Sequence, residues 1–279
     1  MFFSFRFDKK AKKRLAVAGG AVFCGALLLT VSMTVWQLNR TVGCSAADLE
    51  TALMPTAAAD SETDAEPEDT QPKVAYLTFD DGPSKITEQV LDQLKKEDVK
   101  ASFFVIAAPN NENYLPVLTR TVAEGHCIAL HSCSHEYKDI YQSPEAYWAD
   151  IDALKEKLKP YLGENMPDRL RFPGGSTNTV SHKYGGDSIM KTLKAQAEEK
   201  GYHYVDWNAC ADDAVGGHPS AETIARNVIR DCKEQSTVVI LMHDTKNNKN
   251  TAEALPTIIG WLKENGYSFD TVDHLEKQI

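Results

Sequence analysis

Apolar runs alternate with helix-like stretches along residues 73–279, and this alternation predicts the fold. The apolar, strand-like runs lie at 74–79, 102–106, 127–131, 169–172, 203–206, 237–242 and 268–271. Stretches with helical spacing separate them, near 86–96, 114–124, 144–159, 187–200, 220–233 and 252–264. Strands that alternate with helices form parallel sheets, because each helix carries the chain back to the start of the next strand. The sequence therefore predicts an α/β domain of about seven parallel strands that curve into a barrel or near-barrel.

The first 36 residues follow a different pattern. A basic cluster at 9–14 precedes residues 15–36, which contain no charged side chain. As a helix rising about 1.5 Å per residue, this stretch would be long enough to cross the hydrocarbon core of a bilayer. Positive charge before such a span keeps the N-terminus in the cytoplasm. We therefore expect a cytoplasmic tail at 1–14 and an uncleaved, single-pass transmembrane signal-anchor at 15–36.

Residues 37–72 connect this span to the α/β domain. The stretch 45–72 holds eight acidic residues and no basic residue, and it is rich in alanine, threonine and proline. Such a composition buries too little apolar surface to fold, so we expect an acidic, disordered extracytoplasmic linker. It would hold the domain at 73–279 outside the cell membrane, facing the cell wall. The net charge of −10 offers no basic surface for nucleic acid.

Polar side chains gather where the predicted strands end. Asp80 and Asp81 follow the first strand, and His131 and His135 follow the third. Because the carboxyl ends of parallel strands meet at one rim of a barrel, these groups are expected to lie together. Two imidazoles and one carboxylate form the ligand set of a catalytic metal site with an open position. Taken singly, the aspartates also fit a capping turn and the histidines also fit surface positions.

Three more strand ends carry candidate groups. The fourth run ends in Arg171 before a glycine-rich turn, the fifth ends in Asp206 and Trp207, and the sixth ends in His243. Each has a structural alternative, such as a salt bridge or a capped strand end. Five polar strand ends at one rim of one sheet favour an active site over five independent structural roles.

Together these motifs resemble the polysaccharide deacetylase family, which is also called the NodB-homology domain or carbohydrate esterase family four. The matching segments, in the family's order, are TFDDGP at 78–83, HSCSH at 131–135, RFPGG at 171–175, DW at 206–207 and LMHD at 241–244. They span essentially all of 73–279. The resemblance implies a distorted (β/α) barrel with fewer than eight units, in agreement with the strand pattern.

The resemblance also implies roles for the residues of the first two motifs. Asp81, His131 and His135 would bind a divalent metal, usually zinc, with cobalt or manganese as alternatives. The metal would lower the pKa of a water molecule and polarise the substrate carbonyl. Asp80 would take the proton of that water as general base, and Arg171 would keep it ionised and oriented.

The remaining motifs imply the acid and the substrate contacts. His243 would protonate the departing amine, with Asp206 orienting it and raising its pKa. The backbone amide of Ser84 would join the metal in holding the oxyanion. Trp207 and Leu241 would line the pocket for the acetyl methyl group. The full set of implied substrate contacts is Ser84, Pro173, Gly174, Gly175, Trp207 and Leu241.

Two positions depart from the family pattern. Gly174 stands where members often carry an aromatic residue, so one wall of the sugar site is either missing or supplied elsewhere. His203 stands three residues before Asp206, where an acid is common. Both departures are expected to change substrate fit more than the metal site or the acid–base pair. The stretch 174–184 is a candidate sugar-binding loop, or an ordinary loop.

The domain contains four cysteines, Cys127, Cys133, Cys210 and Cys232. An extracytoplasmic location permits disulfides, and four cysteines allow three complete pairings. Cys133 lies between the two histidines and Cys210 follows the strand end at Asp206 and Trp207, so both are expected near one rim and a bridge between them is one hypothesis. Cys133 as a metal ligand is a weaker one, because His131 and His135 already occupy the matching motif.

These observations predict a metal-dependent hydrolase that removes N-acetyl groups from a polymeric cell-wall glycan. N-acetylglucosamine of peptidoglycan is the favoured substrate, because a short linker outside a membrane faces the wall. Alternatives are N-acetylmuramic acid, poly-N-acetylglucosamine, chitin oligomers, acetylated xylan, or an inactive glycan-binding module on the same fold. We expect a monomer.

Overall fold

The computed structural model describes residues 72–163 and 166–276, which contain one sheet of eight strands. All strand pairings in it are parallel. The strands are β1 (Lys73–Asp80), β2 (Ser102–Ile106), β3 (Cys127–Ser132), β4 (Arg169–Leu170), β5 (His203–Tyr204), β6 (Ala209–Cys210), β7 (Thr237–His243) and β8 (Tyr267–Asp270). They follow the order β5-β4-β3-β2-β1-β7-β6, and β8 pairs with the first half of β1.

Helices connect the strands, as predicted. They are α1 (Lys85–Glu97), α2 (Val117–Ala123), α3 (Tyr137–Ile140), α4 (Pro144–Leu162), α5 (His182–Gly185), α6 (Ile189–Glu199), α7 (Ala221–Cys232) and α8 (Lys249–Glu264). The short helices α3 and α5 were not predicted, because a single turn shows no hydrophobic period. The strand β6 was not predicted either, and β4 and β5 are each two residues long where four were expected.

The sheet curls into a half-barrel. β5 and β6 lie at the two ends of the strand path, yet only residues 205–208 separate them along the chain. An extended chain spans at most about 3.6 Å per residue, so the two edges lie within about 18 Å of each other. No pairing joins β5 to β6 in the described ranges, so the barrel stays open between them. The predicted distorted barrel is confirmed in this form.

Both faces of the central strands are buried. The inner face is filled by a small apolar cluster of Tyr76, Phe104, Ala129, Val205, Val239 and Val272. The outer face and the helices enclose the larger core, which includes Leu77, Phe79, Leu130 and Ile240. Burial on both faces explains why these strands read as continuous apolar runs, which made them predictable.

The fold also bears on two other predictions, the disulfide and the N-terminal segments. Cys127, Cys133, Cys210 and Cys232 are all free thiols, so the hypothesis of a Cys133–Cys210 disulfide is wrong. The predicted segments 1–14 and 15–36 lie outside the described residues, as does all but the last residue of 37–72. Within the described ranges, no helix is both long enough and apolar enough to cross a membrane.

Candidate active site

The carboxyl ends of β1 and β3 bring three predicted metal ligands together. One ligand atom each from Asp81, His131 and His135 lies within 4.8 Å of the others. The Asp81 Oδ1 atom is 3.5 Å from the His131 Nε2 atom and 3.2 Å from the His135 Nε2 atom. The sequence separates the aspartate from the histidines by about fifty positions, and only the parallel arrangement of β1, β2 and β3 joins them.

Local contacts fix the orientation of each ligand. Asp81 and His135 both have left-handed backbone conformations, with φ angles of 68° and 57°. The Asn111 side-chain amide holds the turn after β1 by donating to the carbonyl oxygens of Asp81 at 2.9 Å and Pro83 at 3.0 Å. The His131 Nδ1 atom lies 2.7 Å from the carbonyl oxygen of Arg171. A proton on that nitrogen leaves Nε2 as a free lone pair directed at Asp81.

These residues fit a divalent metal. The Asp81 Oδ1 atom is buried and has no hydrogen-bond partner, although a buried carboxylate oxygen normally requires one. Burial lowers the pKa of His131, against the opposing effect of the nearby aspartates Asp80 and Asp81, which favours the neutral imidazole that coordinates metals. An unpartnered carboxylate oxygen beside two imidazole nitrogens is the donor set that zinc and similar ions prefer.

Asp150, which the sequence analysis did not identify, supports the segment that carries the histidines. Its carboxylate accepts hydrogen bonds from the Ser132 hydroxyl at 2.7 Å and from the backbone amides of Cys133 at 2.7 Å and Ser134 at 2.9 Å. The Ser132 hydroxyl oxygen in turn accepts from the backbone amide of His135 at 2.8 Å. This network from α4 fixes the loop between the two histidine ligands.

Asp80 and Arg171 form a fully buried ion pair inside the barrel. The Arg171 Nη1 atom lies 2.8 Å from the Asp80 Oδ1 atom, and Arg171 has no exposed surface. The guanidinium also donates to the Thr78 hydroxyl and to the carbonyl oxygens of Val205 and Asp206. A buried charge that donates from all three of its nitrogens is fixed in place, as the predicted role of Arg171 requires.

His243 is held by Asp213, and not by Asp206 as predicted. The His243 Nδ1 atom lies 2.8 Å from the Asp213 Oδ1 atom, and the His243 backbone amide donates to Asp213 Oδ2 at 2.8 Å. Asp206 instead accepts from the backbone amide and the hydroxyl of Ser176, at 2.8 and 2.5 Å. Asp213 follows β6, which pairs with β7 and so lies beside His243, whereas Asp206 follows β5 at the other edge of the sheet.

Asp213 also changes the protonation of His243. Burial alone lowers the pKa of the imidazole, but the hydrogen bond and negative charge of Asp213 outweigh it and raise the pKa to about 9, with smaller contributions from Asp80 and Asp81. The histidine is therefore an imidazolium at neutral pH. The pair Asp212-Asp213 was a signal in the sequence, since it repeats the adjacent acids of Asp80-Asp81.

The predicted oxyanion donor, Ser84, is engaged elsewhere. Its backbone amide donates to the Thr87 hydroxyl at 2.8 Å, and its own hydroxyl accepts from the amide of Ile86 and caps α1. This capping box occupies the amide that the prediction needed, so that assignment is wrong. The amides of Gly82 and Gly174 donate to no acceptor in the described part of the chain.

Asp244, the last residue of the fifth motif, lies directly behind Gly82. Its buried carboxylate accepts from the Thr87 hydroxyl at 2.5 Å, and burial raises its pKa to about 7. A Cβ atom at Gly82 would lie 2.3 Å from both carboxylate oxygens, so any other residue there would have to displace the Asp244 side chain. The glycine therefore lets the turn that carries Asp81 pack against β7.

The remaining predicted contacts lie around the same rim. A Cβ atom on Gly175 would lie 3.0 Å from the Trp207 ring, and that ring lies 5.5 Å from the Arg171 guanidinium carbon. The carbonyl oxygen of Pro173 accepts from the Tyr141 hydroxyl at 2.8 Å. Leu241 is almost fully buried on β7, two residues before His243. The glycine turn and Trp207 are thus adjacent, while their contacts with a sugar stay a prediction.

Comparison with known proteins places the chain in a family. A family model described as polysaccharide deacetylase matches residues 67–204. A peptidoglycan-N-acetylglucosamine deacetylase of Bacillus cereus is 35% identical over 206 residues, which are 73% of this chain and 88% of that protein. The crystal structure of the catalytic domain of peptidoglycan N-acetylglucosamine deacetylase from Eubacterium rectale has a TM-score of 0.70 at 36% identity, covering 75% of this chain and 92% of that one.

A further similar structure is that of an enzyme named for a different substrate. It is a family 4 acetyl xylan esterase from Clostridium thermocellum in complex with a cobalt ion, with a TM-score of 0.58 at 30% identity, covering 73% of this chain and 90% of that one. These similarities join the fold and the strand-end motifs described above. The chain belongs to the polysaccharide deacetylase family, carbohydrate esterase family four, and is a carbohydrate deacetylase.

Proposed function

We propose that this chain is a metal-dependent hydrolase that removes N-acetyl groups from N-acetylglucosamine in peptidoglycan. One observation carries the mechanism. Asp80, fixed by Arg171, and His243, charged by Asp213, lie at paired positions on adjacent strands, beside the cluster of three metal ligands. A base and an acid at one centre are what amide hydrolysis needs.

Asp81, His131 and His135 would hold the metal, and zinc suits their mixed nitrogen and oxygen donors best. When bound, a divalent ion supplies a Lewis acid that lowers the pKa of water and polarises the acetamide carbonyl. The protein's own contribution is the orientation of Asp81 by Asn111, of His131 by the carbonyl of Arg171, and of His135 by the Ser132 hydroxyl.

Asp80 acts as the general base. Its Oδ1 atom is bound by Arg171, while its Oδ2 atom faces the ligand cluster, 3.9 Å from the His131 Nε2 atom. The free oxygen accepts the proton of the attacking water. The buried guanidinium compensates the negative charge of Asp80 and prevents the carboxylate from rotating away.

His243 acts as the general acid. Its Nδ1 proton is committed to Asp213, so its Nε2 proton passes to the leaving amine. With a pKa of about 9, the imidazolium is populated throughout the neutral range. The amides of Gly82 and Gly174, which donate to no acceptor in the described ranges, are candidate backbone donors for the oxyanion.

Two independent arguments support peptidoglycan as the substrate. Relatives that resemble the chain over most of its length include peptidoglycan-N-acetylglucosamine deacetylases. The sequence of residues 15–72 also predicts a membrane anchor followed by an acidic linker, which would present the domain, as a monomer, to the wall. Acetylated xylan is the second candidate, because the chain also resembles an acetyl xylan esterase.

Acetate release by the full chain tests the proposal. The protein is stripped of metal, zinc is restored, and acetate is measured from peptidoglycan, chitooligosaccharides and acetylated xylan. We expect zinc-dependent release from peptidoglycan, and mass analysis of the muropeptides would then identify the sugar. An Asp80→Asn variant should bind zinc and release no acetate. Release from acetylated xylan alone would refute the wall substrate, and no release with zinc bound would indicate a glycan-binding module instead.

A further inference from the structure

Tyr137, the first residue of α3, follows the second metal ligand by two positions and has no role in the chemistry described above. Its ring lies edge-on to His135, with 5.6 Å between ring centroids, and edge-on to Tyr141 at 5.5 Å. The side chain is half-buried, and its hydroxyl makes no hydrogen bond within residues 72–163 and 166–276. A partly dehydrated phenol without a partner is free to bind a ligand.

The space above the glycine turn is filled by this tyrosine. A Cβ atom on Gly174 would lie 2.7 Å from the Tyr137 hydroxyl oxygen, which is closer than nonbonded atoms approach. The backbone of Gly174 has a φ angle of 81°, which also disfavours a side chain. Tyr137 therefore occupies the volume into which a residue at position 174 would project.

Neighbouring contacts fix this arrangement. The Tyr141 hydroxyl donates to the carbonyl oxygen of Pro173, which ties the glycine turn to the helix that carries Tyr137. The ring of Tyr137 is thus packed between His135 and the glycine turn.

On the basis of the proposed function, we propose that Tyr137 is a specificity-determining residue that forms the aromatic wall of the sugar site. Its ring packs against the N-acetylated sugar, and its hydroxyl donates a hydrogen bond to that sugar. The residue replaces the side chain that Gly174 lacks, so the missing wall is supplied from α3. Aromatic rings suit this task because a sugar presents apolar C–H faces between its hydroxyl groups.

The alternative role is purely structural, since Tyr137 also packs on the metal ligand His135. A structural support would affect every substrate and the affinity for zinc. A sugar wall would affect the glycan and leave a small acetyl ester without a sugar unchanged. The two roles are therefore separated by substrate and by metal binding.

The test uses Tyr137→Phe and Tyr137→Ala in the full chain. Measured are kcat/KM for a tetramer of N-acetylglucosamine, kcat/KM for p-nitrophenyl acetate, and the zinc dissociation constant from competition with a chelator. Matched controls are Tyr161→Phe and Tyr161→Ala, since Tyr161 is also half-buried but lines a cavity of about 330 Å³ with Cys127, at the opposite end of β3.

Loss of the hydroxyl should lower kcat/KM for the tetramer about 3- to 10-fold, and loss of the ring should lower it about 10- to 100-fold. The ester, the zinc affinity and the Tyr161 controls should stay within about twofold of the unmodified chain. Any of three results for the Tyr137 variants would overturn the proposal. These are equal losses of kcat/KM for the ester and the tetramer, weaker zinc binding, or an unchanged kcat/KM for the tetramer.

Failure of the proposed function gives a different result. In that case the unmodified chain releases no acetate from the tetramer, whatever residue stands at position 137. The role of Tyr137 in the sugar site is then tested by calorimetry, which measures binding of the tetramer to the zinc-loaded chain. Weaker binding by Tyr137→Ala than by the unmodified chain supports it, and equal binding refutes it.

Discussion

Two histidine–aspartate groups lie at the rim of the same sheet, and they differ in protonation. On the metal side, the Asp81 Oδ1 atom is 3.2–3.5 Å from two imidazoles and has no hydrogen-bond partner. On the acid side, both oxygens of Asp213 are used, one by the His243 ring and one by the His243 amide and the Thr251 hydroxyl. One side leaves a carboxylate oxygen open, and the other satisfies it completely.

The difference shows that contacts, and not residue types, decide the chemistry. Burial lowers the pKa of His131, whose Nδ1 atom faces a neutral carbonyl, and this favours a metal-binding lone pair. Burial also acts on His243, but a carboxylate at its Nδ1 atom reverses the shift to about 9 and gives an acid. A histidine whose Nδ1 atom faces a neutral carbonyl is therefore suited to bind a metal, and one whose Nδ1 atom faces a carboxylate is suited to donate a proton.

Removing the charge on the acid side should have the largest effect. In Asp213→Asn, burial of His243 is no longer opposed by the carboxylate of residue 213, so the pKa of the imidazole falls from about 9 toward its ordinary value of 6.5. At pH 7.5 most of the imidazole is then neutral, so kcat should fall toward the loss of about 100-fold or more that removal of a general acid causes. The pH–rate profile measures both effects, since its alkaline limb should move to lower pH.

The control is Asp206→Asn, which removes the carboxylate that the sequence had favoured. Asp206 contacts Ser176 and not His243, so the alkaline limb should stay in place. A shift of that limb in Asp206→Asn, or none in Asp213→Asn, would contradict the assignment of the acid's partner.

The raised pKa of His243 also predicts how the stability of the fold depends on pH. The folded state holds the His243 proton up to a pKa of about 9, whereas the ordinary value is 6.5. Between these values only the folded state binds the proton, so this contribution is complete below pH 6.5 and is lost as the pH rises through 9. Urea unfolding across that window should show this loss for the unmodified chain and a smaller one for Asp213→Asn.

The sequence predicted Asp206 as the partner of His243, but the partner is Asp213, and this error shows what the sequence could and could not reveal. Long central strands such as β1, β3 and β7 are buried on both faces, so their apolar runs identified Asp80, His131 and His243 directly. β6 has two residues and no visible period, although its pairing with β7 decides which acid reaches His243.

Two further contacts were beyond reach for a related reason. Ser84 lies where the sequence predicted an oxyanion donor, but its backbone amide already donates to the Thr87 hydroxyl. Whether an amide is free to bind an oxyanion depends on such contacts. Asp150 lies in the middle of α4, where a single acid is indistinguishable from a solvent-exposed helix position. Strand ends predict where chemistry gathers, whereas hydrogen-bond partners across elements require the fold.

On the metal side, loss of the Asp150 network should have an intermediate effect. Asp150→Asn replaces one carboxylate oxygen by an NH2 group, which cannot accept the hydrogen bonds that the Ser132 hydroxyl and the nearby backbone amides donate. Zinc affinity should fall about 10- to 100-fold, the usual cost of losing a group that orients metal ligands. Chelator competition measures this without reference to turnover.

Asp152→Asn on the same helix is the matched control, because its side chain is 74% exposed. It should leave zinc affinity unchanged. The alkaline limb of the pH–rate profile should not move in either variant, since neither residue contacts His243. Unchanged zinc binding in Asp150→Asn would mean that His131 and His135 hold their positions without the network.

The smallest effect is expected at Cys133, which lies between the two histidine ligands in sequence and tests whether the metal side needs a thiolate. Burial raises the pKa of this thiol, and the group of ligand atoms within 4.8 Å consists of Asp81, His131 and His135. A protonated thiol is a poor metal ligand. Cys133→Ser should therefore change zinc affinity by less than about twofold, since it removes no ligand. A large loss of zinc in this variant would replace the carboxylate–imidazole centre proposed here with one that includes sulfur.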